Sequence, residues 1–161
     1  DVLDLIQPLI SDEMNVFDIR KMFFSIQNIP YEERKDVIQQ TLRLETSLMS
    51  VQEKQDLLSK VTEIPFEFRE QVIDLTLPFL IGRDSFKEKM HILGAISKMP
   101  NETRQENVNH AWRQLFSNSD IEEAFACSDT SDEGKVRVTG SGTSRLPIRE
   151  ILETLSNSLR R

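Results

Sequence analysis

The sequence predicts an all-α fold: an α-solenoid of stacked helix–turn–helix repeats wound into a right-handed superhelix. Three observations carry this expectation. Residues 14–48, 49–83 and 84–118 align without gaps, and Pro30, Pro65 and Pro100 fall 35 residues apart. Within each segment the apolar residues recur at helical spacing. The chain of 161 residues also holds only 5 glycines, too few for a turn-rich β fold. A helix pair of this length cannot bury both of its apolar stripes alone, so neighbouring pairs must stack to close a core.

The opening residues already belong to the series. Val2-Leu3-Asp4-Leu5 and Pro8 match Val72-Ile73-Asp74-Leu75 and Pro78 at twice the period. Residues 1–13 therefore read as the second helix of a truncated repeat, and the chain as part of a larger array. Three complete repeats follow. Their first helices carry the stripes Val16, Ile19, Met22, Phe23, Ile26; Val51, Leu57, Leu58, Val61; and Phe86, Ile92, Leu93, Ile96. Lys54 and Lys89 interrupt them at one shared phase, where a long stem can lie along apolar surface. Each second helix is expected to begin at its proline, which suits a first helical position because its missing N–H would be unpaired there anyway. Glu32, Glu67 and Glu102 then stand in the first turn, favoured by the helix dipole. The second stripes run Val37, Ile38, Thr41, Leu42; Val72, Ile73, Thr76, Leu77, Leu80; and Val108, Ala111, Trp112, Leu115.

Arg34, Arg69 and Arg104 recur at one phase. They read either as a row of anion-binding groups or, as we favour, as repeat-interface residues that span to a neighbouring repeat or cap carbonyls of the preceding helix. A residue kept at one phase in every repeat serves the stacking more readily than it serves a ligand.

After residue 118 the strict period stops. Residues 119–161 read as a degenerate closing repeat, with a flexible loop at 128–145 rich in Ser, Thr, Asp and Gly, and a helix at 146–161. A short edge strand at 135–138 fits the alternation of Lys135-Val136-Arg137-Val138. In the final helix Pro147 marks the start, and Ile148, Ile151, Leu152, Leu155 and Leu159 form an apolar stripe. This helix is either the cap that a solenoid needs or a tethered or fused partner helix.

The net charge of −7 is unevenly spread. Residues 1–13 carry −4, the three complete repeats sum to −1, and residues 119–161 carry −2. The repeats thus lack the clustered basic face that nucleic-acid binding needs, and only 135–161 offers a basic stretch for that weaker reading. A single cysteine, Cys127, excludes a disulfide scaffold and a Cys-based zinc site and fits a reducing, cytoplasmic compartment. No apolar run reaches the length of a membrane span, so no membrane partner is expected. His91 and His110 lie at unrelated phases with no ligand spacing around them, so no metal site is expected. Acidic neighbours disfavour a Cys127 thiolate, and Gly140-Ser141-Gly142 lacks the strand–turn–helix setting of a nucleophile elbow. Neither a catalytic residue nor a cofactor is expected. Thr130 with Glu133 is a weak acid-directed phosphorylation pattern.

The period is close to that of tetratricopeptide repeats, but the residues of that motif are absent. The motif I-P-Y-E-E-R-K-D-V-I at 29–38 recurs as I-P-F-E-F-R-E-Q-V-I at 64–73 and M-P-N-E-T-R-Q-E-N-V at 99–108. It resembles a short helical repeat of unknown function that occurs in proteins of intracellular bacteria, some of them secreted into host cells. The resemblance spans residues 1–118. It implies a helical array with an interaction or effector role, in the host cytosol if secreted, and carries over no catalytic residue. The third repeat departs from it at Asn107.

The expected function is a helical-repeat module, a scaffold that binds another protein or peptide. The alternative is a non-catalytic, substrate-positioning arm of a larger enzyme. Partner contacts are sought at outward phases that vary between repeats. Phe24 shares its phase with Ser59 and Gly94; Phe68 with Glu33 and Thr103; Leu75 with Gln40 and His110; Met90 with Arg20 and Gln55. Phe24, Phe68, Leu75 and Met90 are thus apolar where the repeat also accepts polar or small residues, and they form the candidate partner-binding set, unless they pack under a neighbouring helix. Self-association is a further expectation, with Val2, Leu3, Ile6 and Ile10 left uncovered by the truncated first repeat.

Overall fold

The computed structural model describes residues 2–46, 48–116 and 146–160. These are helical throughout their regular structure. The elements are α1 (Val2–Ile6), α2 (Val16–Gln27), α3 (Arg34–Leu44), α4 (Val51–Glu63), α5 (Phe66–Leu80), α6 (Phe86–Ser97), α7 (Arg104–Leu115) and α8 (Ile148–Ser158), with 3-10 turns at Gln7–Leu9 and Tyr31–Glu33. The strand and loop expected within 128–145, with Cys127 and Thr130, lie outside the described residues. The chain divides into two compact units, Asp1–Ile73 and Asp74–Arg161, and the division falls within α5.

The first helices start at a recurring cap. Asn15, Ser50 and Ser85 stand 35 residues apart, each followed three positions later by an acid: Asp18, Glu53 and Glu88. The Asn15 side chain accepts the Asp18 N–H at 3.0 Å, and Ser50 Oγ accepts the Glu53 N–H at 3.2 Å. Glu53 Oε2 in turn accepts the Ser50 N–H at 2.8 Å, completing a capping box, and Ser85 Oγ accepts from Glu88 at 3.4 Å. These side chains satisfy amide donors that the first helical turn leaves without partners.

Pro30, Pro65 and Pro147 sit one step before the turn or helix they open, while Pro100 lies further out, since α7 starts at Arg104 with Thr103 as its N-cap. Pro30 and Pro147 are extended N-cap residues, not first helical residues. Their carbonyls accept the first turn's amides, as Pro30 does from Glu33 and Arg34. α5 begins at Phe66, directly after Pro65, whereas in the first repeat a 3-10 turn intervenes and α3 starts at Arg34. The fixed φ of proline suits either position. Its extended ψ makes it the cap here, where its carbonyl is needed and its missing donor is not.

In the first unit, α1 packs on α2, and both α2 and α3 pack on α4. Ile6, Leu9, Met22, Ile26, Val37, Leu57 and Val61 are buried. Lys54 lies among them, 5% exposed. Its stem runs along apolar surface as expected, but its ammonium is buried too: Nζ donates to the Leu9 carbonyl at 3.1 Å and pairs with Glu45 at 2.5 Å. One stripe residue departs from expectation. Val16 is 80% exposed, because it lies on a side of α2 that neither α1 nor α4 covers.

In the second unit, α8 packs against both α6 and α7, with Ile151 and Leu155 fully buried. Arg83 anchors the segment that leads into α8. Its Nη2 donates to the Leu146 carbonyl at 2.6 Å, its Nε to the Phe79 carbonyl at 3.2 Å, and its Nη1 meets Glu88 at 2.9 Å. The chain turns into position through Gly82 at φ 73°, a left-handed conformation that suits glycine after a helix end. Phe79 meets Trp112 edge-on at 5.0 Å, and Trp112 contacts Phe116 at 4.4 Å. Leu159, expected at the end of the buried stripe, is exposed because α8 ends at Ser158.

Candidate interaction face

The recurring arginines close the ends of the first helices. Arg34 Nε donates to the Ile29 carbonyl and Nη2 to the Gln27 carbonyl, both at 2.9 Å. Arg69 reaches Val61 at 3.0 Å and Ile64 at 2.9 Å. Arg104 reaches Ile96 at 3.1 Å and Met99 at 2.9 Å. A guanidinium is well matched to the last carbonyls of a helix, which have no amide partner of their own and carry the negative end of its dipole. Arg69 also stands opposite two carboxylates of the preceding repeat: Nη1 meets Asp36 at 2.7 Å and Nη2 meets Glu33 at 2.8 Å. One repeat later these two positions hold Phe68 and Gln71. Arg69 is 1% and Arg104 2% exposed, so burial closes both to an external anion. Burial also lowers the Arg104 pKa, with Glu102 opposing the effect.

The four candidate partner-binding residues do not share one environment. Phe24 is 51% exposed on α2. Phe68 and Met90 are half-buried. Leu75 is 8% exposed and belongs to the core, which removes it from any recognition surface. Near the chain start, Ile6 is likewise buried, Ile10 half-buried and Leu3 exposed. Exposure of the apolar groups there is therefore partial.

An apolar face that the variable-phase argument found only in part lies on α2. Phe17 is 75% exposed and Val16 80%. With Phe24 and the exposed Arg20 they occupy positions 16, 17, 20 and 24, one side of a 3.6-residue helix. The Arg20 guanidinium lies 5.6 Å from the centre of the Phe24 ring, and Phe23 meets Phe24 edge-on at 6.3 Å, so the exposed ring is held from two sides. The signal for Phe17 was present in the sequence, since its phase is shared with Gln52 and Lys87. Two further exposed aromatics, Tyr31 and Phe66, follow successive prolines and lie 5.6 and 5.9 Å from Arg34 and Arg69.

The described residues hold no group of three or more His, Cys, Asp or Glu placed to bind a metal ion. His91 is exposed. His110 Nε2 is buried without a hydrogen-bond partner among the described residues. Burial lowers the Lys89 pKa, and Asp84 opposes that effect. No described helix is long and apolar enough to cross a membrane. No protein-family model, curated protein or solved structure matches the chain.

Proposed function

We propose that the chain is a helical-repeat protein–protein interaction module, built as an α-solenoid with a right-handed superhelical sense. The observation that carries the functional reading is the α2 face. It places two exposed phenylalanines and an exposed arginine on one side of one helix, at phases where later repeats carry other residues. Aromatic and arginine side chains dominate the energy of protein interfaces, and an apolar cluster in water favours association. Support for the solenoid comes from the first unit, where α4 packs on both helices of the preceding repeat and Arg69 ties α5 to Glu33 and Asp36. On this reading α8 is the closing cap.

Site-specific photo-crosslinking tests the proposal. A photoreactive phenylalanine at position 24, in the intact chain within its native cells, is expected to give a discrete protein adduct. The same group at exposed Gln105 is not. Equal labelling at both positions, or none at position 24, would sink the reading.

A further inference from the structure

We infer that Tyr31 and Phe66 form a docking ridge for an extended segment of a partner protein, one that seats an arginine or lysine at Phe66 and a proline at Tyr31. The ridge stands on other residues than the α2 face and does not rest on it.

Phe66 belongs to the middle one of the complete repeats and is 59% exposed; Tyr31, at the same phase one repeat earlier, is 76% exposed. Phe66 stays open with a complete repeat before it and another after it in the sequence, so the start of the chain does not account for its exposure. Nor does the repeat need a ring at this phase. In the third repeat the position is Asn101, which accepts from Arg104 Nη2 at 2.6 Å. Asparagine thus engages the recurring arginine without exposing an aromatic ring to water.

The two rings share one support. Arg69 lies 5.9 Å from the centre of the Phe66 ring, and its Nη2 meets Glu33, in the turn that Tyr31 opens, at 2.8 Å. Arg34 lies 5.6 Å from the centre of the Tyr31 ring. Both guanidinium groups are bonded to helix-end carbonyls, so each ring is backed by a fixed cation and presents its other side to solvent. Neighbouring packed elements stand about 10 Å apart, and an extended chain covers that distance in about three residues. Exposed rings at such a spacing suit a segment of polyproline type, which turns once in about three residues.

Charge sets the direction of the segment. Glu67 and Glu70 are exposed on the side of α5 that carries Phe66. At the phase of Glu70 the first repeat carries exposed Lys35, which offsets Glu32 beside Tyr31, while Glu33 and Asp36 are already paired with Arg69. The Phe66 end is therefore acidic and the Tyr31 end near neutral. At Phe66 a cation gains both the ring and the carboxylates. At Tyr31 an uncharged proline covers the ring.

The test uses a fluorescein-labelled extended peptide that repeats proline, proline, arginine, titrated with the full chain by fluorescence anisotropy. Its twin carries glutamate in place of arginine. The variant Y31N/F66N gives both turns the residue of the third repeat and keeps the net charge, and its thermal melt should stay close to that of the parent chain. Saturable binding of the arginine peptide is expected, at least about tenfold weaker for Y31N/F66N and for the glutamate twin. E70Q should weaken binding, and K35Q, at the same phase, should not. Undiminished binding to Y31N/F66N would overturn the inference, because attraction between a basic peptide and a chain of net charge −7 needs no rings. Equal binding of both peptides, undiminished binding to E70Q, or no binding would overturn it too. The two readings fail separately, since the adduct at position 24 reports on α2 and the peptide on these turns.

Discussion

Arg69 and Lys54 show how much of this molecule depends on cations inside it. Arg69 is 1% exposed and holds three helix-end carbonyls, those of Val61, Thr62 and Ile64, and two carboxylates. Replacing it with methionine keeps the stem but strands all five acceptors, and breaking a buried pair from one side costs about 3–5 kcal/mol. Urea denaturation of Arg69→Met should show a loss of that order. Arg34→Met should lose less, because Arg34 is half-buried and its groups can turn to water.

The two buried lysines should respond in opposite directions. Lys54→Met leaves Glu45 and the Leu9 carbonyl without their cation and should lower the melting temperature. Lys89→Met should raise it, because the charged form of Lys89 pays for burial, as its lowered pKa records. The sign of the pH dependence follows. Below the native pKa of Lys89 the cost of its buried charge is fully present. Between that pKa and the unfolded value of 10.5 the unfolded chain binds more protons, so this group's contribution to stability rises with pH. The advantage of Lys89→Met over the parent chain should therefore shrink between about pH 7 and about pH 10. Paired urea titrations at the two pH values measure it, and an advantage that grows with pH would contradict the assignment.

At the scale of elements, the start of each first helix is set by a side chain at one phase. Ser50→Ala removes the Oγ that accepts the Glu53 N–H, leaving only the main-chain bond from residue 50 to Glu53, and should destabilise by about 1 kcal/mol. Asn15→Ala should cost a similar amount, while Ser85→Ala, whose bond is longest at 3.4 Å, should cost least. Helix α8 depends on tertiary contact instead. Its two fully buried side chains, Ile151 and Leu155, each contribute about 1.5–3 kcal/mol of burial. Leu155→Asp should release α8, read as loss of amide-exchange protection across Ile148–Ser158. Protection that survives the substitution would rule out docking through this stripe.

At the scale of the whole molecule, the 35-residue period allows a test that an ordinary globular fold would fail. Deleting residues 49–83 in frame joins residue 48 to Asp84 at the repeat phase and removes the Lys54 and Arg69 networks. In a nearest-neighbour array the shortened chain still folds, with lower stability. The expected result is an unchanged helical signature per residue in circular dichroism and a cooperative melt at lower temperature. A non-cooperative melt would argue against independent repeat units.

The period, the helical class and most of the core were legible from residue spacing alone. Helical stripes repeat in phase, and burial follows the stripe, as at Met22, Leu57 and Ile92. The N-caps were legible too, in the series Asn15, Ser50, Ser85, though the eye goes first to the prolines. Three features were decided only by the tertiary structure. Leu75 and Phe24 sit at equally variable phases, yet one is core and the other exposed, because variation at a phase says nothing about which neighbour covers it. Val16 and Val51 share a phase and differ in exposure, because burial belongs to the pair of packed surfaces and not to either residue. Arg69 meets two carboxylates, because Glu33 and Asp36 come within its reach only once the Tyr31–Glu33 turn, α3 and α5 are placed in space. Local periodicity determines which side of a helix is apolar. Only the arrangement of neighbours determines which apolar side remains open to a partner.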